Sequence, residues 1–574
     1  MRLYKNPIIR GFHPDPSICR VNNEYFLVTS SFEYFPGVPI FHSRDLINWD
    51  LIGYCLTRDS QLNLAKAPSS GGIFAPTIRY HNGVFYMITT NINHGGIFYV
   101  KTEDPYRGWS DPVYININGY DPSLYFEEDG TVLLTYSDGR KIMQVEINLE
   151  NGKLKSDPKA IWNGTGGQAP EGPHLYKIKD YYYLLIAEGG TGYGHMVTIA
   201  RSKSPWGPFE SCYRNPILTH RSLDNPIQCV GHADLFQAHD GSWWIVCLGT
   251  RPFGYPPKSN LGRETFLAPV SWDYDGWPII GNNGKIELEM EAPSFYQGER
   301  IWGRIFDDFN NDKLNLYWNF RRNPDIELYS LNYRKGYLTL RCGETTLDDE
   351  SKLAFIGIRQ EDFNCEVRTK VEFDPKSDNE EAGLTIFLSE NFHYDIAIST
   401  RDGKKCIVFK RNIASLKDER ILNIEKDKPV ILGIKANQKY YYFYFDIDGN
   451  KTNIGKGETF LLTTEVGGKF TGNYFGLYAT GNGKRTLTPA YFDWVEYVRY
   501  KEYVEYTKLK DIINDEKAFG ILLKYIPNTN IINQIMQYIP DTNLGFLLLI
   551  LQRTNIDIDI ENLIFDLSNL PLDD

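Results

Sequence analysis

The chain has 574 residues, too many for one ordinary core, so two or three domains are expected. A formal net charge of -12 argues against nucleic acid and anionic membrane surfaces as partners. The longest apolar run, near 544–551, is too short to span a bilayer, which leaves no membrane segment to expect.

The N-terminus, Met1-Arg2-Leu3-Tyr4-Lys5-Asn6-Pro7, shows no apolar stretch of the secretory kind. The eight cysteines carry neither a CxxC pair nor a zinc spacing. They read as buried free thiols, and the expected compartment is the cytoplasm. An aromatic content of 14% suits β-sheets and also the stacking of sugar rings on side chains.

One unit then recurs five times along the first half. The first copy is Asp15-Pro16-Ser17-Ile18, a turn at Asn22-Asn23, and the aromatic strand Tyr25-Phe26-Leu27-Val28. The others begin at Ala75, Asp121, Glu171 and His232, with turns at Asn82-Gly83, Asp129-Gly130, Asp180 and Asp240-Gly241. Each reads as strand, hairpin turn, strand, with no helical pattern between. The spacing predicts an all-β architecture whose first domain, 1–290, is a five-bladed β-propeller. The stretches 43–49 and 102–109 read as turns leading to outer strands.

A linker at Glu291-Ala292-Pro293-Ser294-Phe295 precedes a second all-β unit over 305–500. Apolar and polar residues alternate in 365–373, and further strands are expected at 384–388, 394–398, 406–409, 440–445 and 491–497, as in a β-sandwich. In the last segment, 508–574, Ile512, Ile513, Phe519, Leu522, Leu523, Ile531, Ile532, Ile535 and Met536 recur at helical spacing, punctuated by Pro527 and Pro540. Three or four short helices are expected there, forming an appendage against another domain or another subunit.

The leading residues of the five repeats are Asp15, Ala75, Asp121, Glu171 and His232. Rotation brings equivalent positions to equivalent distances from the central channel. Packing alone does not call for acids there, so this break in the pattern points to function. Cleaving a glycosidic bond takes two carboxyl groups whose environments push their pKa values apart. Asp15 and Glu171 are the best pair, each held between prolines, and Gly172 allows close approach. Asp121 is expected between them, as a carboxylate that raises the pKa of Glu171.

The motifs Phe12-His13-Pro14-Asp15-Pro16-Ser17-Ile18, Gly119-Tyr120-Asp121-Pro122-Ser123-Leu124 and Glu171-Gly172-Pro173-His174-Leu175-Tyr176 resemble glycoside hydrolase family 43. Within it, the chain looks like the β-xylosidase branch with a C-terminal, concanavalin-like β-sandwich, over about residues 1–500. The resemblance implies that Asp15 is the general base, that Asp121 tunes pKa and orients, and that Glu171 is the general acid. It implies inversion by single displacement, with the working carboxyls roughly 6.5–9.5 Å apart.

The resemblance also implies substrate contacts from Phe32, Phe74, His232, Arg263 and a sandwich residue, Phe470, which closes the pocket for exo-action. No cofactor is required; in some members calcium lies near the equivalent of His232, held through waters. The implied substrate is a xylooligosaccharide or an arabinoxylan fragment, and a homo-oligomer is expected. Phe74 stands where many close β-xylosidases have tryptophan, and Thr250-Arg251-Pro252 resembles a branch with mixed specificity. Release of xylose and release of α-L-arabinofuranose therefore both stay open. The alternative of another class is a carbohydrate-binding propeller without catalysis.

Overall fold

Each of the five repeats forms the inner hairpin of a four-stranded antiparallel sheet. The inner strands are Ser17–Val21, Thr77–His81, Tyr120–Phe126, Glu171–Ile178 and Gln228–Gln237. Asn82 and Gly83, at φ 50° and 84°, make a tight turn between His81 and Val84, matching the twist of the flanking strands. The structure, a computed structural model, describes residues 2–425, 428–468, 470–553 and 558–572.

The N-terminal segment is stitched to the last blade. Leu3–Lys5 pairs with Glu289–Glu291, and Asn6 Nδ2 and the Tyr4 hydroxyl both donate to the Leu267 carbonyl. A polar knot ties blades across the channel. The buried carboxylate of Asp234 accepts from Ser17 Oγ at 2.7 Å, Arg79 Nη1 at 2.7 Å and the Tyr176 hydroxyl at 2.6 Å. Those partners stand on three other blades, so one aspartate satisfies donors that would otherwise be stranded.

The second unit is two packed sheets of eight strands each. One of them ends in a strand borrowed from the propeller, Tyr34–Phe35, paired with Asn319–Arg321. The opposite edge, Leu416–Asn423, is exposed along its whole length and charged, which blunts an open edge. A single apolar core runs from Phe26, Val38 and Met87 of the propeller into Trp318, Phe320 and Ile356 of the sandwich. The buried Arg321 and Arg322 both pair with Glu390, whose other oxygen accepts from Ser69 of the propeller at 2.6 Å. These contacts fix where the sandwich loops meet the channel.

The tail forms five helices among the described residues, rather than three or four: Leu509–Asn514, Glu516–Tyr525, Thr529–Tyr538, Leu544–Arg553 and Ile560–Leu567. Leu509–Asn514 and Glu516–Tyr525 are separate helices because the Asp515 side chain accepts from the backbone of Lys517 and Ala518, capping a new start. The helices share a core of Leu509, Ile512, Leu522, Leu547, Leu563 and Leu567. They rest on the sandwich, where the Phe565 ring lies 5.0 Å from that of Tyr442. Among the described residues no helix is long and apolar enough to cross a membrane.

Candidate active site

The channel ends of the inner strands are irregular. Pairing shifts register between Tyr120 and Ser123, between Glu171 and His174, and twice between Gln228 and Ala233. Asp15, Asp121 and His232 have left-handed φ values of 56°, 52° and 44°, and Gly172 one of 57°. Bulges re-aim side chains, and left-handed backbone at non-glycine residues costs about 1–3 kcal/mol each, so it persists only where its surroundings impose it.

These bends bring the leading residues together. His232 Nδ1 lies 3.7 Å from Asp15 Oδ1 and 3.9 Å from Asp121 Oδ2. Asp15 accepts from Ser30 Oγ at 2.6 Å and from Arg263 Nη1 at 3.1 Å. The Gly172 N–H donates to Asp121 Oδ2 at 3.2 Å, which ties Asp121 to the neighbour of Glu171. A Cβ at position 172 would lie 2.9 Å from the His232 ring, so glycine is required there. Ser137 Oγ donates to the Pro170 carbonyl at 2.6 Å and steadies the approach to Glu171.

The electrostatics separate the acids. Burial pushes Asp15 upward, but the Arg263 guanidinium, His232 and the Ser30 bond outweigh it and hold its carboxyl below the usual range. Burial, and then the charge of Asp15, push Glu171 up to about 7, against a smaller pull from Arg263. Burial, Glu171 and Asp15 push Asp121 well above its ordinary value. Glu171 is thus raised as expected, though by burial and Asp15; Asp121 is itself a raised carboxyl beside it.

Three phenylalanines stand together beside the cluster. The Phe32 ring lies 5.4 Å from Phe74 and 6.2 Å from Phe470, and the Arg263 guanidinium faces Phe32 at 5.6 Å and Phe470 at 5.7 Å. Phe470 reaches in from the sandwich: its N–H donates to Ser70 Oγ at 2.8 Å and its carbonyl accepts from Arg263 at 3.4 Å. Gly262 and Gly472 meet so closely that a Cβ at 262 would stand 2.8 Å from Gly472 Cα. Every residue expected at the site from the sequence is in or beside this cluster.

Four neighbours escaped the sequence reading: Ser30, Ser70, Thr191 and His195. Thr191 accepts from Arg263 Nη1 at 3.0 Å. The glycine-rich run Gly189-Gly190-Thr191-Gly192-Tyr193-Gly194 was a signal for its loop; nothing local marks the two serines. Calcium takes six to eight oxygen ligands as a rule. Among the described residues no group of three or more His, Cys, Asp or Glu side chains is arranged to hold a metal ion.

Comparison with known proteins places the fold in a family. The model of Glycosyl hydrolases family 43 matches residues 4–278, and that of the Beta xylosidase C-terminal Concanavalin A-like domain matches 306–498. The non-reducing end alpha-L-arabinofuranosidase BoGH43B of Bacteroides ovatus is 42% identical over 505 residues, covering 86% of this chain and 95% of that protein. The beta-xylosidase of Bacillus subtilis is 35% identical over 544 residues, covering 87% and 99%. Among solved structures, xylan beta-1,4-xylosidase from Bacillus halodurans superposes with a TM-score of 0.83 at 34% identity, over 86% of this chain and all of that one. With its five blades, its concanavalin-like sandwich and its three gathered carboxyls, the chain belongs to glycosyl hydrolases family 43 and is a glycosidase.

Proposed function

We propose that the protein is an inverting, exo-acting glycosidase that releases D-xylose from the non-reducing ends of β-1,4-xylooligosaccharides. The observation that carries this reading is the gathering of Asp15, Asp121 and His232 at the channel beside Glu171, with Arg263 bonded to Asp15 and the Gly172 N–H bonded to Asp121; Asp15 is held down by Arg263 while Glu171 is pushed up. Asp15, kept ionised by Arg263, takes a proton from water as the water oxygen bonds to the anomeric carbon. Glu171, protonated, gives its proton to the departing glycosidic oxygen as the old bond breaks. Asp121 orients this pair. Arg263 and His232 bind sugar hydroxyls, and the phenylalanines present apolar faces to the ring. Phe470 closes the pocket and thereby limits cutting to single terminal residues. The chemistry needs no cofactor.

A second reading, α-L-arabinofuranosidase acting on arabinoxylan fragments, is favoured by the name carried by the 42% identical relative. Initial rates on 4-nitrophenyl β-D-xylopyranoside and α-L-arabinofuranoside separate the two, with Asp15→Ala as control. Dominant xyloside cleavage, abolished by Asp15→Ala, is the expected result; dominant arabinoside cleavage moves the activity to the second reading. Cleavage that survives Asp15→Ala overturns the assignment of the base. All eight cysteines are free and buried, which supports action in a reducing cytoplasm.

A further inference from the structure

His195 is a buried histidine at the end of the loop 189–195, just before the strand Met196–Ser202 of the fourth blade. Its Nδ1 lies 3.0 Å from the carbonyl oxygen of Cys229, on the inner strand of the fifth blade. A carbonyl can only accept, so Nδ1 carries the hydrogen and donates. Nε2 is then the bare nitrogen, buried and without a hydrogen-bond partner among the described residues. Burial pushes the ring's pKa down to about 3, which keeps this neutral tautomer across the working range.

The ring abuts Gly231 so closely that a Cβ there would come within 2.4 Å of its atoms. Gly231 lies between Cys229 and His232, where the strand shifts register twice and takes φ values of 56° at Cys229 and 44° at His232. Strained backbone of this kind needs outside restraint. His195 supplies two: a hydrogen bond at the first strained residue and a packed ring one position before the second. Beyond it, the His232 ring rests on Gly172, beside Glu171. The loop that ends in His195 also delivers Thr191 to Arg263, the partner of Asp15.

We propose that His195 is a positioning residue for the hydrolysis: its bond to the Cys229 carbonyl and its packing on Gly231 set the double bulge that aims His232 at Asp15 and Asp121. The inference rests on the reading of that carboxylate cluster as catalytic. His195→Phe keeps a ring and removes the donor; His195→Asn keeps a donor near the place of Nδ1.

The test is steady-state kinetics of both variants on whichever 4-nitrophenyl glycoside the parent enzyme cleaves, with thermal unfolding alongside. In His195→Phe, kcat should fall roughly 10- to 100-fold, more than KM rises, as misplacement of reacting groups by an ångström does. His195→Asn should recover most of kcat. The proposal is overturned if folded His195→Phe keeps the parent kcat, or if folded His195→Asn loses as much as His195→Phe. Should His195→Phe not fold, His195→Asn alone decides: near-parent kcat supports the bond, and a collapsed kcat in a folded protein overturns it. Asp15→Ala distinguishes the underlying reading, because an active Asp15→Ala removes the catalytic cluster itself, whereas an inactive one beside an unaffected His195→Phe removes only this inference.

Discussion

At the scale of single residues, the site works by giving like groups unlike surroundings. Asp15 and Glu171 are both carboxylic acids pushed up by burial, and their difference comes from Arg263, His232 and Ser30 outweighing it at Asp15, whereas at Glu171 the charge of Asp15 adds to it. A general acid is active while protonated, so kcat/KM should fall as pH rises through about 7, the value to which Glu171 is pushed in the free enzyme. A pH profile of kcat/KM checks this; a plateau continuing well past that pH would remove Glu171 as the acid. Glu171→Ala should lower turnover of xylobiose by about 10²–10⁴-fold. Aryl glycosides with acidic phenols should suffer far less, because such leaving groups need little protonation. Equal losses on both substrates, measured side by side, would argue against the assignment.

At the scale of elements, inner strands and loops bring these residues to one place. The knot around Asp234 joins four blades, and the pairing with Arg79 holds its carboxyl far below the ordinary range against burial. Asp234→Asn leaves Arg79 without its counter-charge, and breaking a buried pair from one side costs about 3–5 kcal/mol. Because the folded-state pKa is depressed, this stabilisation is fully present above about pH 4, the unfolded value, and is lost as pH falls through it toward the folded value. Denaturant unfolding at neutral and acidic pH measures it: the gap between parent and variant should be wide at neutrality and narrow in acid. The loop carrying Phe470 is held through Ser70 and Arg263. Phe470→Ala should raise KM for short substrates more than it lowers kcat, since it removes a pocket wall and leaves the carboxyls in place. Unchanged KM would separate Phe470 from the substrate.

At the scale of the molecule, propeller and sandwich act as one piece, with a shared core and a propeller strand in the sandwich sheet. The helical tail is different: it has its own core and lies beyond the matched family segments. A chain ending at residue 507 should keep the kcat/KM of the full protein. A marked loss in the truncated protein, folded by circular dichroism, would give the tail a part in catalysis.

Much of this architecture could be read from the sequence, for a local reason. A hairpin needs an alternating strand, a turn such as Asn82-Gly83 and a second strand, and these signals lie within a dozen or so residues of each other. Five repeats in phase imply rotation about an axis, and acids at the leading position imply convergence on it. The strand Cys365–Phe373 was legible by the same alternation, whereas Leu416–Asn423 was not, because an edge exposed on both faces has no buried side to mark. Tyr34–Phe35 could not be assigned to the sandwich, since its partner lies near residue 320. Which carboxyl is ionised was decided only by tertiary structure. Arg263 reaches Asp15 across 248 positions of sequence, the desolvation of Glu171 exists only in the folded chain, and the bond from Phe470 to Ser70 forms only once the domains have met. Periodicity is local and survives in one dimension; a pKa sums charges and desolvation over a volume, and that volume is made by folding.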